Sequence, residues 1–251
     1  IARTVEDAAI TLQAIAGHDP RDPYSWKAPV PNYLETLNRG VSGMRLALIT
    51  DLLQSTQVHQ EIRHAVLEAS NAFEGLGASV EEISIPLACH ATEIADTLRV
   101  EPGSNRVNSL RANTNQFGHD ARIVLLTGAI MPSQYYYKAQ RLRAMLRDQY
   151  LNILKDYDAV ICPTYGTAAQ PIEDDRIFHS KQEAGDNPYP LRRMFNLANA
   201  PAMSIPCGFD SRDLPIGLQI GSAPGKERVI FQVAQAYEQA TTWHKRRPPQ
   251  A

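Results

Sequence analysis

Apolar positions recur at helical spacing in Val5, Ala8, Ala9, Leu12, Ile15 and Ala16, which predicts an opening helix that Gly17 ends. Thr4, with Asp7 three residues on, has the spacing of a capping box, although Glu or Gln is the usual partner. A strand is predicted from Arg45 to Thr50. A helix follows from Val58 to Leu76, with Ile62, Val66, Ala69, Ala72 and Phe73 inward, and then a strand from Ser79 to Ile85. That strand, helix, strand order implies a parallel crossover. From Leu87 to Leu125 the pattern weakens; it predicts helix broken by loops around Pro102-Gly103 and Phe117-Gly118.

Pro132-Ser133 opens a long helix through Lys155, with Tyr136, Ala139, Leu142, Met145, Leu146 and Tyr150 on one face and Arg141, Arg143 and Arg147 in the polar remainder. A strand from Ala159 to Cys162 is closed by Pro163-Thr164. Residues 166–187, rich in acid, Gly and Pro, predict a mobile excursion. Asn199 can end a helix and Pro201 stops its continuation. Two short apolar strands are then predicted, Ala202 to Ile205 closed by Pro206, and Leu214 to Ile220, joined by the turn residues Asp210-Ser211-Arg212-Asp213. From Gly225 a last helix buries Val229, Ile230, Val233, Ala236 and Tyr237, and the basic tail from Lys245 is predicted to fray.

Composition sets limits on function. The chain has 251 residues, 43% hydrophobic and 21% charged, with a net charge of −2. It can bury a large core, and nothing in its charge points to nucleic acid or an acidic membrane surface. No apolar run approaches the roughly 18 residues of a membrane helix. The three cysteines, Cys89, Cys162 and Cys207, are an odd number and form no Cys-x-x-Cys pair, which makes a reducing cytoplasm the default.

Candidate chemistry is sparse. Gly40-Val41-Ser42-Gly43 has the wrong spacing for a serine elbow and precedes a strand. Cys162 ends an apolar strand, where a nucleophile could sit. A thiolate needs a base or positive field beside it, and none is visible, so Cys162 and Cys207 are expected to be small buried hydrophobes. His59 and His64 are five residues apart and do not share a helix face as a metal pair would. Glu173-Asp174-Asp175 reads as a solvated acidic loop rather than a cation site.

The most informative stretch is residues 195–221. Its Asn-Leu-Ala, Pro-Ala-Met-Ser-Ile-Pro-Cys-Gly and Leu-Pro-Ile-Gly-Leu-Gln motifs, in that order and spacing, resemble the C-terminal part of amidase signature enzymes. The opening Ile-Ala-Arg-Thr-Val-Glu-Asp-Ala-Ala, Gly-His-Asp-Pro-Arg-Asp-Pro at 17–23, Arg122 to Gly128 followed by Tyr135 to Arg141, and Asp158 to Thr164 agree with the same family. The resemblance implies a mixed, twisted sheet flanked by helices on both faces, an α/β fold, with residues 1–251 forming the C-terminal part of a single amidase domain. It implies hydrolysis of a carboxamide C–N bond by serine, with a lysine acting through a second serine, and no metal or cofactor. The Gly/Ser-rich loop and the lysine of that triad do not occur here, so no catalytic residue is expected in this chain and the chain alone is expected to be inactive.

By the same resemblance Arg122 and Tyr135 are candidate contacts at the pocket edge, the alternatives being a surface ion-pair partner and packing residues. Thr164 and Tyr165 are candidates to face the acyl part of the substrate. The implied partners are a small-molecule amide and the missing N-terminal half of the domain, with neither nucleic acid nor membrane; a homo-oligomer is left open. In the family's tRNA-dependent members an acidic residue several positions before Asn-Leu-Ala helps bind the ammonia donor. Tyr189 occupies that place here, which favours a stand-alone amidase over tRNA amidation. A binding or scaffold half-domain is the reading from a different class.

Overall fold

The computed structural model describes residues 1–169 and 190–247. Within them lie α1 (Val5–Ile15), β1 (Arg45–Ile49), α2 (Thr50–Leu53), α3 (Gln60–Gly75), β2 (Ser79–Ile83), α4 (Ala91–Arg99), α5 (Pro102–Asn105), α6 (Val107–Ala112) and α7 (His119–Ile130). These are followed by α8 (Ser133–Ile153), β3 (Ala159–Pro163), α9 (Pro190–Ala198), β4 (Ala202–Phe209), β5 (Pro215–Gly221) and α10 (Glu227–Ala240). The strands form one mixed sheet in the order β2-β1-β3-β5-β4. β1 pairs in parallel with both β2 and β3, and β5 runs antiparallel to β3 and β4. The predicted crossover is therefore present, with α3 as its helix.

Strand chemistry follows position. β1 and β3 sit centrally and are buried along almost their whole length, as parallel strands covered on both faces must be. β2 is an edge and carries Glu81 and Glu82 outward. Arg45 pairs with Glu81 at 3.0 Å, and the Tyr157 hydroxyl donates to the same carboxylate at 2.8 Å. The Tyr157 and Arg45 bonds together hold Glu81 below the usual carboxylate range.

Helices cover both faces. α3 and α10 pack on one face of β3, β4 and β5, and α1 lies outside α10, where the Glu238 carboxylate accepts the Val5 N–H. On the other face α8 and α9 close over β5. A Cβ at Gly221 would fall 2.2 Å from Phe195 Cε1, and the buried Tyr150 ring meets Phe195 edge-on at 5.9 Å. The Tyr150 hydroxyl donates to the Ser222 carbonyl at 3.0 Å, and Ser222 Oγ donates to the Asp158 carbonyl at 2.7 Å. Arg143 and Arg147, placed in the polar remainder by spacing alone, satisfy the end of α9. Arg143 donates to the Leu197 carbonyl at 3.0 Å and to Asn199 Oδ1 at 2.7 Å, and Arg147 donates to the Ala198 carbonyl.

Several local expectations hold. Thr4 Oγ1 accepts the Asp7 N–H at the start of α1. Asn199 ends α9 at φ 51°. Asp210 Oδ1 accepts the Arg212 and Leu214 N–H groups in the hairpin turn. Others need correction. Pro206 does not close its strand: β4 continues to Phe209, because it is a sheet edge where a missing N–H costs no ladder bond, and the register shifts between Pro206 and Gly208. Pro102-Gly103 is not a loop but the first turn of α5, where proline is at home. Met145 is 54% exposed and Ile15 75%, so neither belongs to the buried set of its helix. Thr50 begins α2 rather than ending β1. The excursion beyond Ala169, Glu173-Asp174-Asp175, Tyr189 and the tail from residue 248 lie outside the described residues.

A candidate active-site recess

β3 ends at Pro163, and the Thr164 N–H goes to the Gly217 carbonyl at 2.9 Å, which extends the pairing of β3 with β5 by one step. Directly opposite residues of an antiparallel pair share a face. Ser204 lies opposite Gln219, and Pro206 opposite Gly217, so Ser204 and Gly217 are on one face of the sheet. Thr164 Oγ1 and Ser204 Oγ meet there at 2.7 Å. A Cβ at Gly217 would stand 2.8 Å from both hydroxyl oxygens. Glycine is what leaves room for that pair.

After Tyr165 the backbone passes close to the start of α3. Gly166 accepts the His59 N–H at 2.9 Å, and a Cβ on it would be 2.2 Å from the Gln57 carbonyl oxygen. This turn holds Tyr165 over the sheet end. The result is an open recess of about 430 Å³. Ile62, Ile205 and Ile216 are among its apolar walls, and its polar groups include Thr164, Ser204 and Arg192. The Arg192 guanidinium lies over the Tyr165 ring, 5.2 Å from its centroid. Small-ligand sites in α/β sheets form outside the carboxyl ends of strands where connectivity changes direction. The end of β3, between its parallel partner β1 and its antiparallel partner β5, is such a place.

Of the four candidate binding residues, the fold brings Thr164 and Tyr165 together in this recess. Arg122, half-buried in α7, and Tyr135, 52% exposed at the start of α8, do not line it. Periodicity does not single out Ser204, Gly217 or Arg192. The signal for the first two is strand register, which a one-residue bulge between Pro206 and Gly208 shifts. Cys162 and Cys207 are buried, and burial pushes the Cys162 thiol up and the Cys207 thiol up to about 12. Neither is poised as a nucleophile. Gly40-Val41-Ser42-Gly43 is a turn ahead of β1, with Gly40 and Gly43 at positive φ. Among the described residues no group of three or more His, Cys, Asp and Glu side chains could hold a metal ion, and no helix is long and apolar enough to cross a membrane.

Fold and recess together define an α/β protein: one mixed five-stranded sheet between helical layers, with a ligand-sized hollow where β3 ends. The sequence profile described as Amidase matches residues 1–231, and the chain belongs to the amidase family. It is 34% identical over 273 residues to the A-type subunit of glutamyl-tRNA(Gln) amidotransferase from Oceanobacillus iheyensis, covering 99% of this chain and 55% of that one. The chain thus spans about half the length of the curated relatives it matches. Among solved structures, the A-type subunit of the Thermotoga maritima glutamyl-tRNA(Gln) amidotransferase superposes with a TM-score of 0.74 at 27% identity, over 95% of this chain and 51% of that one. A bacterial aryl acylamidase of the amidase signature family reaches 0.84 at 21% identity, over 97% and 53%, a likeness of fold.

Proposed function

We propose that residues 1–251 are the C-terminal part of one amidase domain and carry the substrate-pocket side of its site. The observation that carries this reading is the recess at the end of β3. It is built from main chain and from Thr164, Tyr165, Ser204 and Gly217, and it lies beside β4, an edge strand among the described residues. The recess has walls, hydroxyls and a guanidinium but no activated nucleophile among its described residues. The reaction then needs a serine, its oxyanion donors and the serine–lysine base from the N-terminal half of such a domain. With these in place the chemistry is attack on a carboxamide carbon, loss of ammonia or an amine, and hydrolysis of the acyl-enzyme. On this reading Thr164 and Tyr165 face the acyl part of the substrate, and Arg122 and Tyr135, which do not line the recess, are proposed contacts at the pocket edge. A cytoplasmic location fits three unpaired thiols.

The test is turnover of simple aliphatic and aromatic amides by the chain alone and by the chain supplied with an N-terminal amidase half. The chain alone is expected to be inactive, since losing a whole triad removes a factor of about a million in kcat. Turnover by the purified chain that disappears in Cys162→Ala would overturn this. A second reading is favoured by the 34% identity to the glutamyl-tRNA(Gln) amidotransferase relative over nearly the whole chain. Glutamine-dependent amidation of a charged tRNA, rather than hydrolysis of free amides, would decide for it. Tyr189 in place of an acid weighs against it.

A further inference from the structure

We propose that a second cleft, beside the start of β4 and the end of β5, binds a small organic cation, a primary alkylammonium being the simplest. Its volume is about 400 Å³. Phe195, Pro201 and Pro224 are among its apolar walls, and Trp26 stands at its side. Glu227, at the start of α10, is the one charged side chain among its described lining residues. The recess at the end of β3 shares none of these residues, so the inference does not depend on the reading of that recess. An aromatic face and a carboxylate on one small cleft both attract a cation, the first through the ring quadrupole and the second through its charge.

Trp26 is 63% exposed, yet its backbone is held. In the loop before it the Ser25 N–H donates to the Asp22 carbonyl at 3.1 Å, Ser25 Oγ accepts the Asp19 N–H at 3.1 Å, and Asp22 Oδ1 accepts the Tyr24 N–H at 2.9 Å. A Cβ at Gly225 would come within 3.6 Å of Trp26 Cζ3, so the indole rests beside that glycine. Among the described residues the Glu227 carboxylate takes part in no hydrogen bond or ion pair. Burial, and after it the Glu227 charge, raise the Tyr33 hydroxyl. The guanidinium groups of α8 and α10 in this part of the chain are engaged: Arg143 donates to the Leu197 carbonyl and Asn199 Oδ1, and Arg228 pairs with Glu35 at 3.7 Å. Lys226 is exposed and does not line the cleft. A ligand that matches carries an ammonium for Glu227 and a short alkyl chain for the indole and proline walls.

The experiment is NMR titration of the chain with n-butylammonium and with 1-butanol, its neutral counterpart, for the native sequence, Glu227→Gln and Trp26→Leu. The signals to follow are the Trp26 indole N–H and the backbone amides of Ala200 and Gly225; the Trp243 indole N–H, from outside the cleft, reports that the chain stays folded. Butylammonium is expected to bind about tenfold tighter than butanol, roughly threefold from an exposed cation–π contact and threefold from an exposed ion pair. Glu227→Gln and Trp26→Leu should each cut that preference to about threefold. If the two probes bind the native chain alike, or if either variant keeps the full preference, the proposal is overturned. It is equally overturned if neither probe moves the cleft signals while the Trp243 signal keeps its folded position.

Discussion

The sheet and the helical region from Val100 to Ile130 are built on different principles. Around the sheet one continuous apolar cluster runs from Val5 to Tyr237 through all three central strands. In the helical region Val100, Leu110 and Leu125 are buried but lie outside that cluster. Ile123, Leu126 and Ile130, on the same stretch of α7, are 47%, 52% and 82% exposed. What joins α5 to α7 is close backbone approach. A Cβ at Gly128 would fall 1.7 Å from the Val100 carbonyl oxygen, and one at Gly103 2.3 Å from that of Leu125. The sheet is held by buried area and the helical region by two glycines. The first should unfold cooperatively, and the second should open on its own.

The largest expected effect tests the sheet. Tyr150 is fully buried, edge-on to Phe195 and bonded to the Ser222 carbonyl. Tyr150→Ala should cost about 3–5 kcal/mol, the range for removing a large buried aromatic, and Tyr150→Phe about 1 kcal/mol for the hydrogen bond alone. Chemical denaturation measures both. A loss below about 1 kcal/mol in Tyr150→Ala would mean that α8 is not part of the unit that holds the sheet.

A smaller and more local effect should follow from Gly128→Ala. Alanine gains up to ~1 kcal/mol in helix propensity but must displace backbone, and overpacking costs about 1–3 kcal/mol. Hydrogen exchange should speed up in residues 100–130 and stay unchanged in β1, β3 and β5. Equal loss of protection in the strands would erase the distinction between the two regions.

The same contrast decides what could be read from sequence. β1 and β3 were legible as short unbroken apolar runs, and α3 and α10 because burial on one face leaves a helical period in their side chains. Residues 195–221 were legible as motifs. In α7 the run Ile123, Val124, Leu125, Leu126 has no period, and only Leu125 is buried, so neither its boundaries nor its inward face could be read. At the recess, Thr164 and Tyr165 were named through the family resemblance of the stretch from Asp158 to Thr164. Ser204 depended on a bulge, Gly217 on the space two hydroxyls need, and Arg192 on how α9 meets the turn after β3. These are tertiary facts with no local pattern.

The smallest expected effects concern the thiols, two inside the sheet core and one outside it. Cys89 is exposed in the short turn after β2, whereas Cys162 and Cys207 lie within the sheet core. Partial burial and the nearby Asp51 and Glu93 carboxylates raise the Cys89 thiol, so it should label slowly for a surface cysteine, yet well before the other two. Cys207 should label only on unfolding, and its ionisation ties stability to pH. Burial raises its thiol from an ordinary 9.0 to about 12 in the folded chain. Between those values the unfolded chain gives up a proton that the folded chain keeps, so the contribution is complete below about pH 9 and declines as pH rises toward 12. Denaturation midpoints across that window should fall, and Cys207→Ala should make the fall shallower whatever it does to stability at neutral pH. An unchanged slope, or Cys207 labelling as fast as Cys89 in the folded chain, would show that β4 opens as freely as the exposed turn after β2 and is not held by the sheet core.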